Sequence, residues 1–235
     1  QVLGRANKFF LKFCKKIFCY SEYIKNFPQK YKKKIIIINP LVSEKIYKMR
    51  DSKEIKDKFT ILIVGGSQGA NIFDKNLKNI IVKISKNNSI KIIHQTSEKK
   101  TSFLNEFYLK NDIENKIFSF DKNFANIIQE ADLCITRSGA STLAELSVMN
   151  IPFIAVPLPS SKDNHQLENA NFYKKNDCCW VIEQKYFEEK IEDFLKEIFN
   201  NKSDFIKKKE NLKRINYQNT WINVNQKILR TINEN

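Results

Sequence analysis

The sequence predicts an α/β fold, a Rossmann-like doubly wound parallel sheet, on three observations. From residue 34 onward, short β-branched runs alternate with longer amphipathic stretches, the pattern a parallel sheet covered by helices requires. Connections between the runs are short. Two of the apolar runs lead straight into glycine-containing turns, Gly65-Gly66-Ser67-Gln68-Gly69 and Ser138-Gly139. Crossovers between parallel strands are right-handed almost without exception, so ligands are expected at the C-terminal ends of the strands.

The elements follow in order. Phe9, Phe10, Phe13, Ile17 and Phe18 recur at helical spacing among Lys8, Lys12, Lys15 and Lys16, which predicts a basic amphipathic helix. Such a helix lies on a membrane surface or packs on a neighbouring domain with its lysines solvated. Strands are expected at 34–38, 59–64, 90–94, 117–120, 133–136, 153–156 and 179–182, and helices at 70–85, 102–109, 123–130, 141–149 and 163–174. From about residue 186 to 232 the pattern becomes two or three polar, Lys-rich helices expected to wrap the outside. Asn39-Pro40 marks a boundary, giving 1–40 as one unit and 41–235 as another. The first residue is Gln1 and no targeting pattern follows it, which suggests a fragment.

At 235 residues, 42% hydrophobic and 29% charged, the chain can bury a sizeable core. Its longest apolar runs fall far short of the roughly 18 residues of a membrane span. Forty-one basic against 26 acidic residues give a net charge of +15, which admits nucleic acid, an anionic membrane or phosphorylated ligands as partners. The lysines are spread along the chain and no nucleic-acid motif accompanies them, so nucleic acid is not the expected partner. Cys14, Cys19, Cys134, Cys178 and Cys179 lack disulfide or zinc-finger spacing, and read as packing thiols with no metal site expected.

Three segments carry chemistry. In Ile61-Leu-Ile-Val-Gly65-Gly66-Ser67-Gln68-Gly69-Ala70 a buried strand enters a glycine-rich turn and then a helix. Glycines let backbone approach an anion, and the first helical N–H groups and the helix dipole favour negative charge there. The pattern is neither the dinucleotide G-x-G-x-x-G nor a Walker loop, leaving a diphosphate cradle or a plain tight turn. The second segment, Thr136-Arg137-Ser138-Gly139-Ala140-Ser141-Thr142-Leu143-Ala144-Glu145, repeats the arrangement. Ser141 or Thr142 could cap the helix, and Glu145 either accepts a ribose diol or satisfies backbone donors. The third places His165 and Gln166 after Pro157-Leu158-Pro159, where both could meet sugar hydroxyls or serve structure. His94 and Gln95 end a further strand with the same two readings.

Together, in this order and spacing, these segments resemble the C-terminal half of the MurG family of UDP-N-acetylglucosamine transferases, a GT-B fold. Val2-Leu-Gly-Arg-Ala-Asn7-Lys8, Asn39-Pro40, Gly65-Gly-Ser-Gln-Gly-Ala70, His94-Gln95-Thr96, Arg137-Ser-Gly-Ala140 through Glu145, and Pro157-Leu-Pro159 through Gln166 and Asn169-Ala170 carry the resemblance. It implies that residues 41–235 form the donor domain and 1–40 a remnant of the acceptor domain with the hinge. Ser67 and Gln68 would contact the donor diphosphate, and the backbone near Asp121 would read uracil. Ala140, Ser141, Thr142, Leu143, Ala144 and Glu145 would hold phosphate and ribose, with Gln166 on the GlcNAc hydroxyls. Gly66, Arg137 and His165 are additional candidates. No organic cofactor is implied, and stimulation by a divalent ion is left open. The implied partners are UDP-GlcNAc, the lipid I acceptor and an anionic membrane surface on the cytoplasmic side of the bacterial inner membrane.

The sequence also departs from that family. A donor-side arginine near the hinge is replaced by Val42, and Phe-Ile-Asp-Asp-Met becomes Phe120-Asp121-Lys122-Asn123-Phe124. The family's general base would precede Gln1, so the fragment is expected to bind better than it catalyses. Another UDP-sugar-dependent GT-B enzyme, a binding remnant, or a basic nucleic-acid module are the alternatives.

Overall fold

The computed structural model describes residues 3–20, 24, 26–50, 57–161, 164–216 and 219–234, and side chains at all of these except 5 and 67–70. Gln1 and Val2, named above, and residue 163, the expected start of a helix, lie outside the described residues. The main sheet has six parallel strands: β3 (Phe59–Val64), β4 (Ile90–Gln95), β5 (Glu114–Phe118), β6 (Leu133–Thr136), β7 (Phe153–Ala155) and β8 (Cys179–Val181). Their order across the sheet is β5-β4-β3-β6-β7-β8, the doubly wound order in which the chain reverses direction between β3 and β6. Two short strands, β1 (Ile17–Cys19) and β2 (Ile35–Ile37), form a separate parallel pair.

Helices cover both faces because the strands are apolar on both. In β3, Ile61 and Ile63 face one core and Leu62 and Val64 the other, as the period of two dictates. Ile61, Leu62 and Ile63 are fully buried, each contributing about 1.5–3 kcal/mol. One face is closed by α3 (Gly66–Ser85), α4 (Thr101–Leu109) and α8 (Phe187–Asn200). In α3, Phe73, Leu77, Ile80, Ile81 and Ile84 form the buried stripe, and Phe187, Ile191, Leu195 and Ile198 do the same in α8. The two stripes meet where the Phe73 and Phe187 rings stand 5.4 Å apart. The other face carries α2 (Glu44–Met49), α5 (Phe124–Glu130), α6 (Ala140–Val148), α7 (His165–Lys175) and α9 (Lys202–Ile215).

With only five glycines in the chain, helix ends use other residues. Asp112, Asn150 and Asp177, just past α4, α6 and α7, take positive φ of 57°, 56° and 51°. Asn and Asp tolerate the left-handed region best after glycine.

Three expectations change. The N-terminal stripe is not one helix: α1 spans Arg5–Phe10, and Ile17 and Phe18 belong to β1. Lys34 Nζ donates to the carbonyls of Leu11 at 3.0 Å and Cys14 at 2.6 Å, satisfying groups at the end of the helical segment while β2 pairs with the residues beyond. Strand β5 begins at Glu114, three residues before the expected start. Its first half is charged and held by ion pairs, Glu114 to Lys58 at 3.0 Å and Lys116 to Glu130 at 2.9 Å, so it has no hydrophobic signature. The helices after Ile182 do not simply wrap the outside. Helix α8 completes one core, α9 the other, and α10 (Trp221–Asn233) returns beside Ile37, Ile38 and Asn39.

A buried polar network fixes that return. Asn216 Nδ2 donates to the Ser147 carbonyl at 3.1 Å, Asn219 Nδ2 donates to Asn216 Oδ1 at 3.0 Å, and the Tyr47 hydroxyl donates to Asn219 Oδ1 at 2.9 Å. Among the described residues no helix is long and apolar enough to cross a membrane.

Candidate functional site

The site sits where the topology puts it, at the C-terminal edge of the sheet beside the β3/β6 reversal. Helix α3 leaves β3 toward one face and α6 leaves β6 toward the other, which opens a crevice between the two turns. In the first turn Gly66 has φ +61°, a conformation costly for any residue with a Cβ. Helix α3 begins at Gly66, earlier than the expected residue 70; its N-cap residue Gly65 supplies no side-chain cap, and the Gly66 N–H donates to Gln95 Oε1 at 3.1 Å. Ser67 and Gln68 therefore lie in its first turn, and their side chains fall outside the described ones.

The second turn is built differently. Gly139 is the residue before α6, at φ −64°, and again no side chain caps the helix. The first helical bond runs from Leu143 N to Gly139 O at 3.0 Å. Consequently the N–H groups of Ala140, Ser141 and Thr142 precede it and are open to a ligand. Ala140 and Ser141 are exposed, and Thr142 is half-buried. The side chains of Leu143 and Ala144 pack into the core. Neither Ser141 nor Thr142 makes the expected cap. Glu145 lies in the next turn, half-buried, and burial pushes its carboxyl above the usual carboxylate range.

Arg137 lies beneath this turn. It is 9% exposed, with Nη1 donating to the Val156 carbonyl at 3.2 Å and Nη2 to Gln184 Oε1 at 2.7 Å. The guanidinium is 5.3 Å from the Phe73 ring, and its Nε has no hydrogen-bond partner. Burial holds its pKa below the ordinary value. It is a cation in the floor between the two turns rather than a surface ligand, and it adds positive potential there.

Gln166 and His165 open α7. The Gln166 Oε1 accepts from Ser138 N at 3.2 Å and Leu158 N at 3.0 Å, pinning the β6 and β7 turns together. Its carbonyl is thereby committed to backbone, and only its amide nitrogen is left to meet a ligand. Asn169 Nδ2 donates to the Ser138 carbonyl at 3.0 Å. His165 lines a cleft of about 710 Å³ with Ala140 and Asn169 on one side and Asn7, Leu11 and Tyr20 on the other. Val42, at the position of the absent arginine, is buried in the core.

On the β5 side, Asp121 Oδ1 accepts from Asn123 N at 2.6 Å, which shapes the loop before α5 and spends one carboxylate oxygen locally. Phe120, expected to end a strand, is 76% exposed on that loop. Sequence reasoning left Gln95 ambiguous, yet it joins this loop to the glycine-rich turn: Oε1 accepts from Gly66 N at 3.1 Å and Nε2 donates to Ser119 O at 3.3 Å. The available signal was a polar His-Gln-Thr run closing a buried strand. No cluster of His, Cys, Asp or Glu arranged for a metal occurs among the described residues.

A six-stranded doubly wound sheet with two helix N-termini that lack an N-cap side chain at its reversal point is the architecture in which the nucleotide-binding class of domain places its ligands. Within that class, residues 60–220 match the glycosyltransferase family 28 C-terminal domain, and the chain belongs to that family. It is 48% identical over 236 residues to the UDP-N-acetylglucosamine--N-acetylmuramyl-(pentapeptide) pyrophosphoryl-undecaprenol N-acetylglucosamine transferase of Pelagibacter ubique, covering 100% of this chain and 66% of that protein. The enzyme of the same name from Rickettsia felis is 36% identical over 211 residues, covering 85% of this chain and 59% of the relative. The chain thus spans about two thirds or less of the curated relatives it matches. The crystal structure of Acinetobacter baumannii MurG superposes with a TM-score of 0.72 at 22% identity, covering 100% of this chain and 64% of that one. The GT-B-type fold expected from the sequence is borne out.

Proposed function

We propose that this chain is the donor-binding part of an inverting glycosyltransferase that moves GlcNAc from UDP-GlcNAc to the 4-hydroxyl of undecaprenyl-pyrophosphoryl-MurNAc-pentapeptide, converting lipid I to lipid II. The observation that carries the reading is the pair of helix N-termini at the sheet reversal, neither capped by its N-cap glycine, in a chain 48% identical to a transferase of that name. Each helix end presents about half a positive charge, and together with the buried Arg137 they suit a diphosphate. The first turn of α3, with Ser67 and Gln68, takes the diphosphate region. The backbone around Asp121 takes uracil. The open N–H groups of α6 take phosphate, and Glu145 takes the ribose diol, whose two hydroxyls would replace the solvent that burial removes from the carboxylate. The Gln166 amide nitrogen meets the sugar.

In the reaction the acceptor hydroxyl oxygen forms the new bond to the anomeric carbon as the bond to the UDP oxygen breaks. UDP leaves with that electron pair, and the hydroxyl proton passes to a general base. Fixed helix dipoles at the diphosphate stabilise the charge that grows there in the transition state.

The acceptor is lipid-anchored, and the N-terminal segment fits a peripheral position on the cytoplasmic face of the inner membrane. Phe9, Phe10 and Phe13 are 63%, 58% and 64% exposed, and Lys12 Nζ sits 4.6 Å from the Phe13 ring. Lysines near an anionic surface contribute about 1 kcal/mol each. Sedimentation with vesicles should rise with anionic lipid content; indifference to lipid charge removes this part of the reading.

The donor assignment is tested by titration calorimetry with UDP-GlcNAc, UDP-glucose and a short oligonucleotide. Selective binding of UDP-GlcNAc, weakened at least tenfold by Glu145→Ala, is the expected result, since a hydrogen bond to a charged group contributes about 1.5–3 kcal/mol. Binding of the oligonucleotide with no UDP-sugar binding would overturn it.

A further inference from the structure

We propose that Gln95 is a positioning residue that couples the two ends of the nucleotide site, holding the diphosphate turn and the base loop in one relative geometry. The assignment rests on the reading of this site as a cradle for a nucleoside diphosphate. Its basis is the span of one side chain: Gln95 Oε1 accepts from Gly66 N at 3.1 Å, and its Nε2 donates to Ser119 O at 3.3 Å. One amide thus joins the β3–α3 turn to the β5–α5 loop across the end of β4.

Both partners need an external tie. Gly66 is exposed, and among the described residues no atom beyond its chain neighbours and its own helix backbone lies within 4 Å of the place a Cβ would occupy, so packing from elsewhere in the fold does not hold the turn there. The β5–α5 loop follows an edge strand with only β4 beside it. Gln95 itself is firmly mounted. Its neighbours His94 and Thr96 are 0% and 3% exposed. Thr96 Oγ1 donates to Asp74 Oδ2 at 2.9 Å, and Thr96 N donates to Phe118 O at 2.9 Å.

Asp74, in α3, is the hub of this mount. Its carboxylate also takes Lys100 Nζ at 3.1 Å and lies 3.2 Å from His94 Nε2, without hydrogen-bond alignment. His94 Nδ1 is 3.2 Å from the Tyr108 hydroxyl. Burial alone would raise the Asp74 carboxyl, but His94, Lys100 and Thr96 outweigh it and hold the group below its ordinary range. The strand end, α3 and α4 are therefore locked together, and Gln95 extends that rigidity to the two loops.

A strut between two subsites acts on ligands that occupy both. Gln95→Met keeps the length of the side chain and removes both hydrogen bonds. In it, UDP affinity should fall about tenfold, the size of a typical coupling between sites, while affinities for uridine alone and for inorganic pyrophosphate alone change less than twofold. Gln95→Ala should behave alike, and thermal melting reports whether either variant has lost its fold.

Hydrogen exchange on the ligand-free chain is the second measurement. Gln95→Met should speed exchange at the Gly66 turn and at residues 119–123, and leave the turn before α6 unchanged. Unchanged or tighter UDP binding, equal losses for all three probes, or unchanged exchange at the two loops would each overturn the assignment. Failure of the wild-type chain to bind UDP, with exchange responding as expected, would instead overturn the cradle reading and the coupling role with it.

Discussion

The two turns that face each other across the sheet reversal reach similar ends by opposite means. The β3–α3 turn depends on conformation: Gly66 stands at φ +61°, exposed, with one side-chain tie from Gln95. The β6–α6 turn depends on hydrogen bonds. Its glycine has an ordinary φ of −64°, while Ser138 is held at both backbone groups by Gln166 and Asn169, with Arg137 anchored below. One side-chain tie at the first turn against several at the second makes the first the more dependent on its backbone conformation.

The largest effect that separates them should come from Gln166→Ala. It strips the acceptor from two backbone donors, one of them on the fully buried Ser138, and an unsatisfied buried donor costs about 1–3 kcal/mol. At about 2–4 °C per kcal/mol for a chain of this size, melting should drop several degrees. Gln166→Glu keeps an acceptor and should recover most of the loss. Equal melting of both variants with wild type would show the second turn to be as loosely held as the first.

The paired glycine substitutions should come next. Gly66→Ala forces a Cβ into the left-handed region and should cost about 1–2 kcal/mol. Gly139→Ala meets nothing closer than Thr142 Oγ1 at 4.0 Å and has a compatible φ. Its stability should stay within about 0.5 kcal/mol, loss of chain entropy in the unfolded state offsetting a poorer helix start. Denaturant midpoints for the two variants decide the matter. If Gly139→Ala is the more destabilised, conformation rather than hydrogen bonding governs both turns.

The same contrast explains what was legible beforehand. Strands β3, β4, β6 and β7 declared themselves because residues such as Ile61, Leu62 and Ile135 are buried on both faces of a parallel sheet, and such runs leave an apolar signature. The turns were visible through their glycines. What escaped was every feature built from a side chain reaching distant backbone. Gln95 is 29 residues from Gly66, and Gln166 is 28 from Ser138, so neither tie has a period or a motif. Lys34, drawn back onto the carbonyls of Leu11 and Cys14, escaped for the same reason, and with it the early end of α1. The charged start of β5 escaped because ion pairs to Lys58 and Lys91 stand in for apolar burial.

The smallest predicted effect, and the finest test of the second turn, is a pair of opposed pH slopes at Glu145. Burial raises its carboxyl above the usual range in the folded chain, whereas the unfolded chain keeps the ordinary value. Between the two values the folded state binds more protons, so this residue's contribution to stability falls as pH rises through that window. Ligand binding should run the other way, because the ionised carboxylate is the better acceptor for a ribose diol, and UDP-GlcNAc affinity should rise over the same interval. Glu145→Gln removes the titrating group and should flatten both curves. Denaturation midpoints and calorimetry across the carboxylate range supply the two slopes. Slopes of the same sign would mean that Glu145 acts on the ligand only by holding α6 in place.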